Sequence, residues 1–301
     1  MRLFLFLSLI GLGPMLAAPA AAKVRVVGTL PDFAAIAAEI GGERVEASSL
    51  ILGTEDPHFV DPKPSHVVRL RSADLLVCIG MGLEAGWLPA LLSQSRNGAI
   101  QPGGPGYLDA SAFIRPEEVP TVADRALGDI HAAGNPHYYT SPVAMRAVAE
   151  GIYRKLLDLD PDGRADIERG WKTFAERYDR KLAEWKAAFA ARASTRVVEY
   201  HRSWVYLLSF AGWESAGALE PKPGIPPSPA HVGKLLQTVR DRNVRFVIQE
   251  VYFPDRLSRL FAEKAGARLV KLPSMVGAAP DIRTLEDKFE RIAKLLTAPA
   301  D

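Results

Sequence analysis

The chain has 301 residues, with 37 basic and 35 acidic side chains and a formal charge of +2. That near balance, with no basic block and no interleaving of aromatic and basic residues, excludes the electrostatic footprint a nucleic-acid partner requires. Cys78 is the only cysteine, so an intramolecular disulfide is excluded and apolar packing must hold the fold together.

Met1 to Ala22 carry one charge at Arg2, an apolar run from Leu3 to Leu12 and a small-residue stretch ending Ala20-Ala21-Ala22. This pattern reads as a secretory signal peptide, residues 1–22, cleaved near Ala22. The run is too short for a membrane span, and no later stretch reaches the roughly 20 apolar residues that one needs. A soluble, exported, periplasmic protein is expected, and with no cysteine near the cleavage point a lipid anchor is not. Removing Arg2 takes the 37 basic residues to 36 against 35 acidic ones. The remaining chain of about 280 residues suits two domains of ordinary size.

In chain order, Val24 to Gly28 reads as a strand, Asp32 to Ile40 as a helix closed by Gly41-Gly42, and Val45 to Ile51 as a second strand. Ser65 offers an N-cap for a helix through Leu70, and Asp74 to Ile79 forms the next strand, with Cys78 a buried small hydrophobe inside it. Strand and helix alternate with short connections, which predicts a parallel α/β sheet. The alternation returns in strands at Arg196 to Tyr200, Val244 to Ile248 and Arg268 to Leu272. Helices are expected there over Trp204 to Phe210, Pro229 to Arg240, Pro254 to Ala265 and Thr284 to Leu296.

Between the halves there is no strand signal. Ser141-Pro142 caps a helix running to about Leu157, and Asp160-Pro161-Asp162-Gly163 interrupts it. Ile167, Trp171, Phe174, Tyr178, Leu182, Trp185 and Phe189 then recur at helical spacing, opposite a charged face. A helix of about 30 residues spans roughly 45 Å, enough to cross the back of two lobes. The predicted architecture is two parallel-sheet α/β lobes, 23–140 and 194–301, joined by a rigid helical linker, 141–193.

Three histidines stand just beyond strands or in stiffened loops: His58 in Asp56-Pro57-His58-Phe59, His137 in Gly134-Asn135-Pro136-His137, and His201 in Glu199-Tyr200-His201-Arg202. Proline limits the freedom such a loop loses on binding. Neutral imidazole is the commonest protein ligand for zinc, and three with a fourth oxygen donor make a tetrahedral site. His131, six residues before His137, is a candidate accessory, collecting ligand rather than a fixed one. His66 and His231 fall at helix starts and are expected to cap or pack.

For the fourth position the chain offers Glu250, at a strand end facing the crevice where open α/β sheets bind ligands, and Asp281 in the loop Gly277 to Asp281. Glu250 serves equally well as a ligand or as a group that fixes a ligating imidazole by accepting its other N–H. Asp281 ranks below both roles, and water in the fourth position stays open. The proline-dense segment Glu220 to Pro229 reads as a rigid structural loop ending in a Ser228 N-cap.

Taken together, Asp56-Pro57-His58 with Lys63-Pro64-Ser65, Asn135-Pro136-His137, Tyr200-His201 and Phe246 to Glu250 resemble the zinc and manganese receptors of bacterial ABC importers, the ZnuA/TroA-like substrate-binding proteins. The resemblance covers nearly the whole chain after the signal. It implies two lobes with the metal between them, delivery to an ABC transporter membrane permease, and His58, His137 and His201 as ligands; a monomer that carries zinc is expected. Manganese-type members often place glutamate at the third position, so His201 favours Zn(2+) over Mn(2+), as a nitrogen-rich site does chemically. Two departures stand out: Leu272-Pro273-Ser274-Met275-Val276 lacks the aspartate many members carry after the last strand, and no histidine-rich loop is present. The competing expectations are a manganese receptor and a secreted zinc hydrolase with Glu250 as base, although no His-Glu-x-x-His motif is found.

Overall fold

The computed structural model describes residues 22–121, 131–222, 224–240 and 242–298; the expected signal peptide lies, but for Ala22, outside them. Two four-stranded, all-parallel sheets form the two lobes. The first contains β1 (Val24–Gly28), β2 (Val45–Ser49), β3 (Leu75–Cys78) and β4 (Tyr107–Asp109), in the order β2-β1-β3-β4. The second contains β5 (Arg196–Glu199), β6 (Glu214–Ala218), β7 (Phe246–Glu250) and β8 (Arg268–Leu272), in the same order, β6-β5-β7-β8. Central strands β3 and β7 are buried at every residue, as parallel strands covered on both faces must be.

The helices in the first half are α1 (Pro31–Gly41), α2 (Pro64–Ser72) and α3 (Leu88–Ser95); in the second they are α6 (Val205–Ala211), α7 (Pro229–Arg240), α8 (Arg256–Ala265) and α9 (Leu285–Thr297). One expected cap is replaced and one is present. Ser65 does not cap α2; Pro64 begins the helix, and the Lys63 backbone N–H points at His66 Nδ1, 3.4 Å away. Ser228 does receive the His231 backbone N–H, at 3.2 Å, at the start of α7.

The linker is α4 (Pro142–Leu159), a turn at Pro161–Gly163, and the 27-residue α5 (Arg164–Ala190), about 40 Å long. Ile167, Phe174, Tyr178, Trp185 and Phe189 on α5 are buried, and at about 1.5–3 kcal/mol for each fully buried large side chain the stripe is a principal source of lobe-to-lobe cohesion. Gly170 lets α5 approach α1, for a Cβ there would stand 2.1 Å from the Ile40 carbonyl oxygen.

Polar contacts reinforce this back wall. Arg177 on α5 bridges Glu39 of α1 and Glu286 of α9, at 2.7 and 2.6 Å. Beneath it lies a fully buried ion pair between Asp32 of α1 and Lys288 of α9. Lys288 Nζ also donates to the carbonyls of Tyr139 (2.9 Å) and Ser274 (3.4 Å), while Asp32 accepts the Val276 N–H at 3.0 Å. On the cleft side, Gly53 abuts the second lobe so closely that a Cβ would meet the Val276 carbonyl oxygen at 2.1 Å. The lobes are thus held against one another at both the back and one flank of the cleft.

Candidate metal centre

The carboxyl ends of both sheets face the cleft. His201 lies two residues past β5 and Glu250 ends β7, so both issue from the pair of neighbouring strands where the chain switches direction, the usual ligand position in open α/β sheets. His58 comes from the loop after β2, which Trp87 Nε1–H pins by donating to the Pro57 carbonyl at 3.1 Å. His137 opens the single helical turn His137–Thr140 that leads into α4.

These three imidazoles meet. Ring centroids stand 5.0 Å apart for His58 and His137, 5.2 Å for His58 and His201, and 5.0 Å for His137 and His201. One ring nitrogen from each lies within 4.8 Å of the others, close enough for a single ion to reach all three.

Each ring is aimed by its Nδ1. Asp56 Oδ1 accepts the His58 backbone N–H at 3.0 Å and faces His58 Nδ1 at 2.7 Å. Asn135 Oδ1 repeats this with His137, at 3.0 and 2.8 Å. Glu220 faces His201 Nδ1 at 2.6 Å. Amide and carboxylate oxygens accept, so hydrogen-bond logic assigns the proton of all three rings to Nδ1 and leaves the Nε2 lone pairs directed at the shared space.

Burial supports the neutral form. His137 is almost wholly enclosed, its Nε2 has no protein partner, and burial, then the neighbouring His58, His201 and His131, hold it well below the ordinary imidazole range. At Asp56, burial pushes the carboxyl upward, but the hydrogen bond and charge of His58 outweigh it and leave it lowered. Asn135 also ties the lobes together: its Nδ2 donates to the Arg202 carbonyl at 2.7 Å, next to His201, and Tyr206 donates to its own carbonyl at 2.6 Å.

Of the other candidates, Glu250 is fully buried; burial, only partly offset by the neighbouring Ser203 hydroxyl, pushes it up to about 8. It does not orient an imidazole, since Asp56, Asn135 and Glu220 occupy that role. Asp281 is not brought to the triad: it stands on the surface paired with Arg291, because the loop after β8 turns Ser274 inward instead. His131 lies beside the site, its ring centroid 6.0 Å from that of His58. His66 and His231 are engaged elsewhere, His231 Nε2 with the Ala218 carbonyl at 3.0 Å. Cys78 is buried, its Sγ 3.1 Å from Tyr107 Oη. Asp56 and Asn135 each stand two residues before a histidine, a repeat visible in the sequence; Glu220, read as part of a structural loop, carried no comparable signal.

The family model of ZnuA, the periplasmic component A of the zinc-uptake complex, matches residues 26–297. The chain belongs to the ZnuA family. It is similar to the high-affinity zinc uptake system protein ZnuA of Bacillus subtilis, 21% identical over 86% of this chain and 81% of the relative. It is similar also to the manganese ABC transporter substrate-binding lipoprotein PsaA of Streptococcus pneumoniae, 24% identical over 78% of this chain and 74% of that one. Among solved structures, a ZnuA crystal structure superposes with a TM-score of 0.74 at 25% identity, over 91% of this chain and 99% of the other. FpvC of Pseudomonas aeruginosa, solved with Mn2+, gives 0.76 at 24% identity, over 91% and 97%. As a ZnuA-family protein, this chain is the extracytoplasmic, metal-binding component of an ABC importer and not an enzyme, with a divalent metal as its transported ligand at the histidine triad.

Proposed function

We propose that the protein captures zinc through Nε2 of His58, His137 and His201, with the Glu250 carboxylate as the anionic fourth partner, and passes it to its membrane permease. The observation that supports this best is the common aim of the three rings: every Nδ1 is engaged, so three neutral nitrogen donors face one point. A nitrogen-rich site favours zinc over the harder manganese ion, and a fully buried carboxylate becomes tolerable once a dication sits beside it. His131 serves as an accessory group at the site's edge. In the same reading the protein is an exported monomer whose leader is removed near Ala22, with lobes 23–140 and 194–301 about the linker 141–193.

The manganese reading is favoured by the names of several relatives, PsaA among them. Competition of the purified protein with a chromogenic chelator decides between the two. Zinc is expected to bind as a single tight equivalent and manganese more weakly; equal or tighter manganese binding would overturn the zinc assignment.

A further inference from the structure

The turns that carry His58 and His137 differ in one chemical respect. Asp56 and Asn135 each present an oxygen to the backbone N–H and to Nδ1 of the histidine two residues on. A carboxylate offers an oxygen whichever way it turns, whereas an amide rotated by half a turn would offer its NH2 instead. His137 therefore depends on a group that fixes the direction of the Asn135 amide, and His58 has no such need. Only its partners distinguish the two ends of an amide, so that group must be an acceptor at Nδ2.

Two acceptors meet Asn135 Nδ2. One is the Arg202 carbonyl at 2.7 Å and the other is Glu118 Oε2 at 3.1 Å; a reversed amide would set its oxygen against both. Glu118 is itself held by the second lobe. The Arg202 guanidinium pairs with it through Nε, 3.4 Å from Oε2, and through Nη2 to Oε1, while Nη1 donates to the Ser215 hydroxyl at 3.2 Å and to the buried Glu199 carboxylate at 3.4 Å. The neighbouring Glu117 is pinned at three points: its N–H donates to Tyr206 Oη at 3.0 Å, its carboxylate accepts the Ser209 hydroxyl at 2.7 Å, and its carbonyl accepts the Asn135 N–H at 2.9 Å. Glu118 stands at a φ of +51°, uncommon for any residue but glycine, and these contacts hold it there. With side chains 38% and 37% exposed, the Glu118–Arg202 pair contributes little to stability as an ion pair, so its place beside Asn135 is what gives it a use.

We infer that Glu118 is a positioning residue for the metal centre: by accepting from Nδ2 it turns Asn135 Oδ1 toward His137, which places the imidazole proton on Nδ1 and leaves Nε2 for the cation. Which ring nitrogen is free to bind a metal is set by the hydrogen bond that the other one makes. Glu118 acts through Asn135, and Arg202 keeps it in place. The aim of His137 is thereby set by a side chain anchored beside His201. The inference rests on the reading of His137 as a ligand and deepens it.

The test compares Glu118→Ala, which removes the acceptor, with Glu118→Gln, which keeps an acceptor oxygen and loses the charge. Nitrogen-15 NMR of the histidine rings in the metal-free protein reads the tautomer directly, and chelator competition reads zinc affinity. Wild type and Glu118→Gln are expected to hold His137 as the Nδ1–H form, while Glu118→Ala admits the Nε2–H form and binds zinc about tenfold more weakly, a loss typical of groups that orient ligands. The His58 ring, whose turn carries Asp56, is expected to keep its tautomer in all three and so reports that the fold is intact. A His137 ring still wholly Nδ1–H in Glu118→Ala, or a Glu118→Gln variant as impaired as Glu118→Ala, would overturn the inference, the second outcome because it would assign the effect to the ion pair alone. Should the wild-type protein bind neither zinc nor manganese, the metal-site reading falls by that measurement, whereas the tautomer of the metal-free variants still decides the role of Glu118.

Discussion

His201 Nδ1 and a carboxylate oxygen of Glu220 stand 2.6 Å apart across a sequence separation of 19 residues. This contact does for His201 what the residue two positions upstream does for each of the other two histidines. Glu220 also accepts the Gly224 N–H at 3.3 Å, a second contact that helps fix the carboxylate against the ring. Glu220→Ala is therefore expected to weaken zinc binding about 10- to 100-fold with the folded state retained, and Glu220→Gln, which keeps an acceptor oxygen, less. Chelator competition on both variants checks this, and wild-type affinity in Glu220→Ala would contradict it.

Glu250 links metal binding to proton release. Its carboxyl is pushed up to about 8 by burial, so at pH 7 the metal-free protein holds that proton, and a cation that engages the carboxylate must displace it. Titration calorimetry at pH 7 in buffers of different ionisation enthalpy should report release of about one proton per zinc. The number should fall as pH rises above 8 and be lost in Glu250→Gln. Unchanged proton release in Glu250→Gln would assign the proton to another group. The affinity loss in the same variant tells direct ligation, with a cost like that of losing a histidine, from action through water.

Stability of the metal-free protein should carry the mark of His137. Its folded value is depressed below the ordinary 6.5, so the unfolded chain binds the proton first as pH falls. The contribution is complete above about 6.5 and is lost progressively below it. Glu84, raised to about 7, and Glu250, raised to about 8, act oppositely, since their raised values favour the folded state at low pH and that contribution is lost as pH rises through them. Denaturant unfolding of wild type and His137→Asn from pH 5 to 8 isolates the histidine: the wild-type advantage should shrink toward pH 5, and a constant difference would refute the assignment.

The buried Asp32–Lys288 pair should be costly to break and cheap to remove whole. Lys288→Met strands a buried carboxylate and is expected to destabilise by about 3–5 kcal/mol, while adding Asp32→Asn restores much of the loss. Urea unfolding measures both. A single variant no less stable than wild type would show that the pair is not closed off from solvent.

Among the histidines, alanine at 58, 137 or 201 should abolish tight zinc binding, whereas His66→Ala and His231→Ala should leave it unchanged, because His66 packs at the start of α2 and His231 contacts the Ala218 carbonyl. If His66→Ala proves as damaging as His58→Ala, the division of the histidines is wrong.

What the chain alone determined was local. The aromatic period of α5 is a property of one helix, and each Asx-Pro-His turn closes over two residues, so both could be read without a fold. Strands β4 and β6 escaped notice because Tyr107–Asp109 is only three residues long and Glu214–Ala218 is rich in small residues with little preference for strand. Only the tertiary structure decided which distant groups serve the site. Glu220 reaches His201 because β6 runs beside β5 and ends level with it, Asp281 turns to the surface while Ser274 turns inward, and Asp32 meets Lys288 across 256 residues. Such pairings depend on how sheets and lobes close on one another, and a carboxylate's value as a ligand, an orienting group or a surface charge follows from where that closure leaves it.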